Sequence, residues 1–460
     1  MFDPSARRPP EYERFVRPVP SWFTEARFGI FVHWGAYSVP AWAEPLGEHG
    51  THHDDWFLRN PYAEWYMNTI RIPGSPAAEH HRRTYGDVPY DDLLDRWHAE
   101  AFDADALVAL FARAGARYVV PTTKHHDGIT LWDAPGTGTR NTVARGPRRD
   151  LVGEFARATR AAGLRFGVYY SGGLDWHAAD TGPIWDADDD SGARPLGLEY
   201  ARYATAQVRD LVQRYAPDVL WGDIDWPDAG KPAGPDSFVH VLEEFYARNP
   251  EGVVNDRWGR THWDFRTSEY QAGTALEGAE AWENCRGVGL SFGYNQREDE
   301  LALSLDGPAA VRHLVDVVSR GGNLLLNVGP DAAGRVPAPQ RRCLEGLAEW
   351  MAVNDRAVHG AGPLAADVAG PQDRPWVRWT VGGDGIHVFA VVDPPAAGAG
   401  VDLRITPGTL ETSDVRVLGA GPGGTREVPV EVTATPDGVR VPLPRNGVPG
   451  PVVVRFRRTT

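Results

Sequence analysis

Six short apolar runs in this chain end in residues that can do chemistry. GIFV leads into His33 and Trp34, RYVVPTTK into His125, His126 and Asp127, and RFGV into Tyr169 and Tyr170. DVLW leads into Gly222 and Asp223, GVVN into Asp256, Arg257 and Trp258, and FRTS into Glu269. Each alone has a plain explanation. A lone histidine after a strand caps it or joins the core, and a lone aspartate is a turn or cap residue. Six at once point to a shared site. Two of these residues, Asp223 and Glu269, are carboxylates on different segments. Such a pair is the equipment for cleaving a glycosidic bond: one carboxylate attacks the anomeric carbon, and the other protonates the leaving oxygen and then deprotonates water. Carboxyls about 5–5.5 Å apart give retention, and about 6.5–9.5 Å give inversion.

The histidines invite a metal, but their spacing argues against one. Strand-end metal sites in barrels favour H-x-H, which puts both rings on one face. His125 and His126 are adjacent and, within a strand, would face opposite ways. The other pairs, His52–His53 and His80–His81, lack metal-ligand spacing. No metal and no cofactor is expected. Neutral imidazoles offer one donor and one acceptor, which suits a sugar hydroxyl. Along VLWGDID, alternation puts Trp221, Asp223 and Asp225 on one face, with Asp225 and Asp228 further out. Among the 17 tryptophans, Trp34, Trp65, Trp132, Trp176, Trp221 and Trp226 sit beside polar motifs. Rings in such places either fill the core or pack against a sugar's C–H face.

The elements that must position these residues repeat one plan. FDADALVALFARAGARYVVPTTK has an N-cap at Asp103 or Asp105, helical spacing, a stop at Gly115 and an apolar strand. RRDLVGEFARATRAAGLRFGVYYSGG repeats it with Asp150 and Gly163, and EYARYATAQVRDLVQRYAPDVLWGDIDW repeats it again. Near-continuous apolar strands alternating with helices imply parallel strands covered by helices. Adding RFGIFVHWG, GVVNDRWG, DFRTSEY, GLSFGYN and GGNLLLNVG gives about eight strands, the count of a (β/α)8, TIM-like barrel. A doubly wound sheet would need a glycine-rich phosphate loop after its first strand, and HWGAYS is not one. After the helical APQRRCLEGLAEWMAVND the texture changes to short alternating strands broken by Gly, Pro and Asp. The expected organisation is a barrel over residues 1–358 and a C-terminal β-sandwich over 359–460, without site chemistry.

Composition sets the outer bounds. The chain has 460 residues, 42% apolar and 24% charged, ordinary for a large soluble core. Lys+Arg 47 against Asp+Glu 62 gives a net charge of −15, which disfavours nucleic acid and anionic membranes as partners. No run approaches the ~18 apolar residues of a membrane span. The N-terminal MFDPSARRPPEYERF does not read as a secretory signal. Two cysteines, Cys285 and Cys343, form no disulfide framework and fit a reducing cytoplasm.

With these residues assembled, the chain resembles the glycoside hydrolase family 29 α-L-fucosidases. The matching stretches are WFTEARFGIFVHWGAYSVP, NPYAEWY, YVVPTTKHHDGITLW, RDLVGEFARATRAAGLRFGVYYSGGLDW, PDVLWGDIDWP, EGVVNDRWG, SEY, GVGLSFGYN and VVSRGGNLLLNVGP, in order over about residues 20–355. The resemblance implies an irregular (β/α)8 barrel followed by a β-sandwich. It implies metal-free, retaining hydrolysis of terminal α-L-fucose through a covalent fucosyl-enzyme. Carried over residue by residue, Asp223 is the nucleophile and Glu269 the acid/base. Glu64 in AEW is the rival for the second role, because the acid/base changes position among subgroups. His33, Glu64, Trp65, His125, His126, Tyr169 and Arg257 match positions that hold the fucose ring, and Trp221 matches an aromatic beside the nucleophile. Asp225 falls where relatives vary between small and acidic residues. A carboxylate there would raise the pKa of its neighbours.

The implied partners are fucosylated glycans or small fucosides, with a homo-oligomer left open. Two other function classes stay in view: a metal-dependent barrel hydrolase, motivated by 15 histidines, and a non-catalytic fucose-binding protein. EPLGEHGTHHDDWFLRNP and TGPIWDADDDSGARP read as loops around the mouth, where linkage preference is set.

Overall fold

Eight apolar segments pair side by side in parallel: β1 (Phe28–Val32), β2 (Tyr118–Lys124), β3 (Arg165–Ser171), β4 (Val219–Asp223), β5 (Val253–Val254), β6 (Arg266–Glu269), β7 (Trp282–Gly287) and β8 (Asn323–Val328). The structure, a computed structural model, describes residues 8–45, 55–179, 182–186, 193–270, 281–393, 399–420, 426–445 and 447–459. The strand order is β5-β4-β3-β2-β1-β8-β7-β6, a curled sheet. Its two edges meet through one isolated parallel bridge, Asn255 to Phe265. This is the expected TIM-like barrel, with a thin seam and no helix between β5 and β6.

Alternation along each strand builds two cores. Phe31, Tyr118, Val120, Tyr169, Val219, Trp221, Val253 and Leu325 point inward and pack together. Ile30, Val32, Val119, Val168, Leu220, Leu324 and Leu326 point outward and join the helix layer. Helices Ala104–Arg113 and Leu151–Ala161 start where the sequence places them: Asp103 accepts from Ala106 N at 3.0 Å, and Asp150 from Gly153 N at 2.9 Å. Helices Pro76–Tyr85, Leu198–Tyr215, Phe238–Arg248, Gly307–Ser319 and Ala338–Asn354 complete the described helices of ten residues or more.

One strand assignment fails. GLSFGYN forms bends, and the seventh strand is WENCRG. β7 carries Glu283, Asn284 and Arg286, so its polarity hides it from a reading based on apolar runs. From Gly362 onward the described strands form two antiparallel sheets around their own apolar cluster, including Val377, Trp379, Val417, Val441 and Phe456. They lean on the barrel's last helices: Arg378 pairs with Asp316, and Trp350 Nε1 donates to Pro451 O at 2.8 Å. No helix among the described residues is long and apolar enough to cross a membrane.

Candidate active site

The carboxyl-terminal ends of the strands open into a pocket of about 130 Å³. All ten residues singled out in the sequence line it: His33, Glu64, Trp65, His125, His126, Tyr169, Trp221, Asp223, Arg257 and Glu269. Sequence reasoning missed Phe31, Tyr62, Ile224, Cys285 and Phe292. Phe31 and Cys285 could have been found, since each is an inward position on a strand. Phe292 and Ile224 sit in turns whose course no local pattern gives.

Asp223 ends β4 and is held on both oxygens. The Tyr169 hydroxyl donates to Oδ2 at 2.7 Å, and Arg257 Nη1 donates to Oδ1 at 3.3 Å. The same guanidinium donates through Nη2 to Glu269 Oε2 at 3.0 Å, so one cation joins the two carboxylates. Arg257 is itself braced: its Nε donates to Thr267 Oγ1 at 3.0 Å, Thr267 donates to Asp256 at 2.7 Å, and its plane lies over Trp221. A charge-assisted pair with fixed geometry is stronger and more directional than a neutral one.

The histidines are neutral, and their partners assign the tautomers. Asn327 donates from Nδ2 to Phe292 O, so its Oδ1 faces His33 Nδ1 at 2.7 Å and must accept. His33 Nε2 is then an acceptor. Burial pulls its pKa down to about 3. Ser171 Oγ donates to Leu174 O, so it accepts from His126 Nδ1 at 2.7 Å. That leaves His126 Nε2 unprotonated, 3.9 Å from Asp223 Oδ2, and burial lowers this imidazole to about 4. His125 stacks on Tyr169 at 5.5 Å, and its Nδ1 has no hydrogen-bond partner among the described residues.

The expectation that His125 and His126 face opposite ways does not hold. β2 ends at Lys124, and both rings lie beyond it in a turn that brings their centroids within 4.0 Å. That turn explains the rest of TTKHHDG. Asp127 accepts from the Tyr90 hydroxyl at 2.8 Å and from Ile129 N at 3.1 Å. Gly128 has φ +72, and a Cβ there would stand 2.4 Å from Asp175 Oδ1. Asp175 receives the buried Lys124 Nζ at 2.8 Å.

Glu64 stands apart from the cations. It comes from a short 3-10 turn in the β1–β2 connection and is 3% exposed. Its Oε2 accepts from Gly293 N at 2.7 Å and Ser291 Oγ at 3.0 Å. Burial pushes its pKa up to about 7 against those hydrogen bonds.

Other candidates fall elsewhere. Asp225 turns away from the pocket into ion pairs with Arg194 and Lys231, so it does not crowd Asp223. Asp228 pairs with Lys231 at 2.6 Å. Trp34, Trp132 and Trp226 belong to the barrel's outer core, whereas Trp176 packs on Trp65 and His126 behind the pocket wall. His80 stacks on Trp42, and His52–His53 lies outside the described residues. The mouth loops expected around residues 44–61 and 181–195 are described only in part. Among the described residues, no three His, Cys, Asp or Glu side chains gather as metal ligands would.

Comparison with known proteins gives one consistent answer. The family model described as Alpha-L-fucosidase matches residues 5–356. An alpha-L-fucosidase of Dictyostelium discoideum is 32% identical over 359 residues, 75% of this chain and 73% of that protein. The crystal structure of Thermotoga maritima alpha-fucosidase is 42% identical, with a TM-score of 0.82 over 96% of this chain and 97% of that one. The same enzyme in complex with fucose gives 41% identity, a TM-score of 0.82 and equal coverage.

Proposed function

Because the chain belongs to the α-L-fucosidase family and is a glycoside hydrolase, we propose that it releases terminal α-L-fucose with retention of configuration, through Asp223 and Glu269. The observation that carries this reading is the shared cation: one guanidinium holds both carboxylates at one side of a sugar-sized pocket.

In this reading Asp223 attacks the anomeric carbon as the bond to the leaving oxygen breaks. Glu269 gives that oxygen its proton. Water then enters, Glu269 takes a proton from it, and the hydroxide displaces Asp223. Tyr169 and Arg257 fix the two oxygens of Asp223, so the attack starts from a set geometry. Neutral His33 and His126 offer acceptor nitrogens to ring hydroxyls, and Phe31 and Phe292 give the 6-methyl an apolar wall. The substrate class is fucosylated glycans or small fucosides.

A second assignment of the acid is favoured by Glu64, whose burial lifts it to about 7, a value suited to donating a proton near neutrality. Glu269 is instead paired with Arg257 at 3.0 Å.

The test is hydrolysis of 4-nitrophenyl α-L-fucopyranoside followed by proton NMR, with Asp223→Gly alongside. Retention predicts α-L-fucose as the first product and an inactive Asp223→Gly. First release of the β-anomer would refute the double displacement, and an active Asp223→Gly would refute the nucleophile. We also propose a reducing compartment, the cytoplasm, because both cysteines are buried and unpaired. Cell fractionation with an activity assay checks that placement.

A further inference from the structure

Asp225, the second acidic residue of WGDID, has no part in the chemistry above. Its carboxylate gathers groups from separate segments. Arg194 Nη2 lies 2.7 Å from Oδ2, and Lys231 Nζ lies 2.9 Å from Oδ1. Arg194 sits in the β3–β4 connection that also carries Trp176, and Lys231 follows the short 3-10 turn after β4. Oδ1 also accepts from Trp226 N at 2.6 Å. A fourth segment makes room for it: Gly259 has φ +71, and a Cβ there would stand 1.6 Å from Oδ1.

The backbone held this way is strained. Ile224 has φ 70 and Asp225 has φ 150. A β-branched residue in the left-handed region is a steric outlier, and such outliers persist only where the surroundings over-determine them. The consequence for the pocket is direct. Along β4, Val219, Trp221 and Asp223 face inward. Extended chain would send Ile224 outward and Asp225 inward. The left-handed turn reverses both. The Ile224 side chain lines the pocket and packs beside Trp65, Leu174 and Trp176, while its N–H donates to Asp223 Oδ1 at 3.0 Å.

We infer that Asp225, Arg194 and Lys231 form a latch that holds Ile224 in its left-handed conformation, fixing the end of β4 at Asp223 and placing an apolar side chain on the pocket wall. Asp225 is thus a positioning residue. The inference rests on the reading of Asp223 as nucleophile.

Kinetics of Asp225→Ala, Ile224→Gly and the double variant on 4-nitrophenyl α-L-fucopyranoside test it. Glycine adopts this φ without steric cost and does not need the latch. Asp225→Ala is expected to lower kcat by about tenfold or more, since small misplacements of reacting groups are costly. Ile224→Gly raises KM through loss of the wall and sets the reference for the double variant. The double variant recovers kcat to within about threefold of that reference, because the strain the latch restrains is gone. A merely structural role for Asp225 would leave the double variant as slow as Asp225→Ala. That result, or an unaltered kcat in Asp225→Ala, overturns the latch. If Asp225→Ala does not fold, Arg194→Ala and Lys231→Met each remove one cation. Each should then show a smaller loss that Ile224→Gly erases, and no loss in either overturns the proposal. Asp223→Gly separates the two failures. If it is active, the nucleophile reading falls; if it is dead beside a fully active Asp225→Ala, only the latch falls.

Discussion

Asp223 and Glu269 on one side of the pocket and Glu64 on another are the same chemical group in opposite surroundings. The first two share the Arg257 guanidinium, at 3.3 and 3.0 Å. Glu64 accepts instead from neutral donors, among them the Ser291 hydroxyl and the Gly293 amide. A cation rewards carboxylate charge, whereas burial with neutral donors rewards the proton. One small pocket therefore holds two carboxylates that share a cation and, apart from them, one buried carboxyl raised to about 7. The same logic extends below and beside the pocket. Glu283, receiving Trp221 Nε1 at 2.9 Å, is raised by burial to about 7, and Glu298, receiving the amides of Leu290 and Ser291, to about 8.

The strongest way to break this contrast is to exchange the two candidate acids. Glu269→Gln is expected to lower kcat/KM on fucosides with poor leaving groups by about 10²- to 10⁴-fold, the range for a lost proton donor. It should spare 4-nitrophenyl fucoside, whose leaving group needs little protonation. Glu64→Gln should raise KM for both substrates alike. The reverse pattern would transfer the acid/base role to Glu64. Next in size is Arg257→Met. Truncating one member of a hydrogen-bonded charge cluster costs roughly 2–5 kcal/mol, so kcat/KM should fall by about 30- to 5,000-fold. A loss confined to KM would mean that Arg257 grips the sugar without orienting Asp223.

Much of this site could be read in the sequence because its residues sit where a simple rule puts them. Parallel barrel strands deliver chemistry at their carboxyl ends, and His33, Tyr169, Asp223 and Glu269 follow that rule. The rule stops where the strand stops. The alternation argument put His125 and His126 on opposite faces and Asp225 beside Asp223, and it failed twice for one reason. Both positions lie just past a strand end, in turns held by Asp175 and Arg140 near Gly128 and by Arg194 and Lys231 on Asp225. β7 escaped notice because its inward Glu283 is paid off by Tyr118 and Trp221, partners that come from distant strands. The groups that set each tautomer, Asn327 and Ser171, carry no local signal at all.

The opposed carboxyls and imidazoles also set how stability depends on pH. A carboxyl whose folded pKa exceeds its unfolded value binds the proton more tightly when folded. The contribution of Glu64, Glu283 and Glu298 is complete below 4.5 and is lost as pH rises through about 7 to about 8. An imidazole with a depressed pKa acts in reverse. The contribution of His33 and His126 is complete above 6.5 and is lost as pH falls toward about 4 and about 3. The melting temperature should therefore peak between 4.5 and 6.5 and decline toward pH 8. Glu298→Gln should flatten the alkaline decline. A melting temperature that climbs steadily from about pH 5 to 8 would show that the buried carboxyls do not hold their protons as the contrast requires.

The smallest effect sharpens the contrast most finely. Ser291→Ala removes one neutral donor to Glu64 Oε2 and leaves the Arg257 side untouched. A hydrogen bond to the ionised form lowers a carboxyl's pKa, so its loss should lift Glu64 further above its present value of about 7. A neutral hydrogen bond is worth about 1 kcal/mol net, so the lift is under about one pH unit. It should appear as an upward displacement of the alkaline limb in the pH profile of KM. The same serine oxygen accepts from Ala63 N at 2.8 Å, so the variant also strands a buried amide and loses about 1 kcal/mol of stability. The two consequences separate cleanly, because the stranded amide lowers the melting temperature without moving the KM profile. Arg257→Met should leave that limb where it is. If both variants displaced it equally, Glu64 would be sensing the guanidinium, and the two sides of the pocket would be one electrostatic unit.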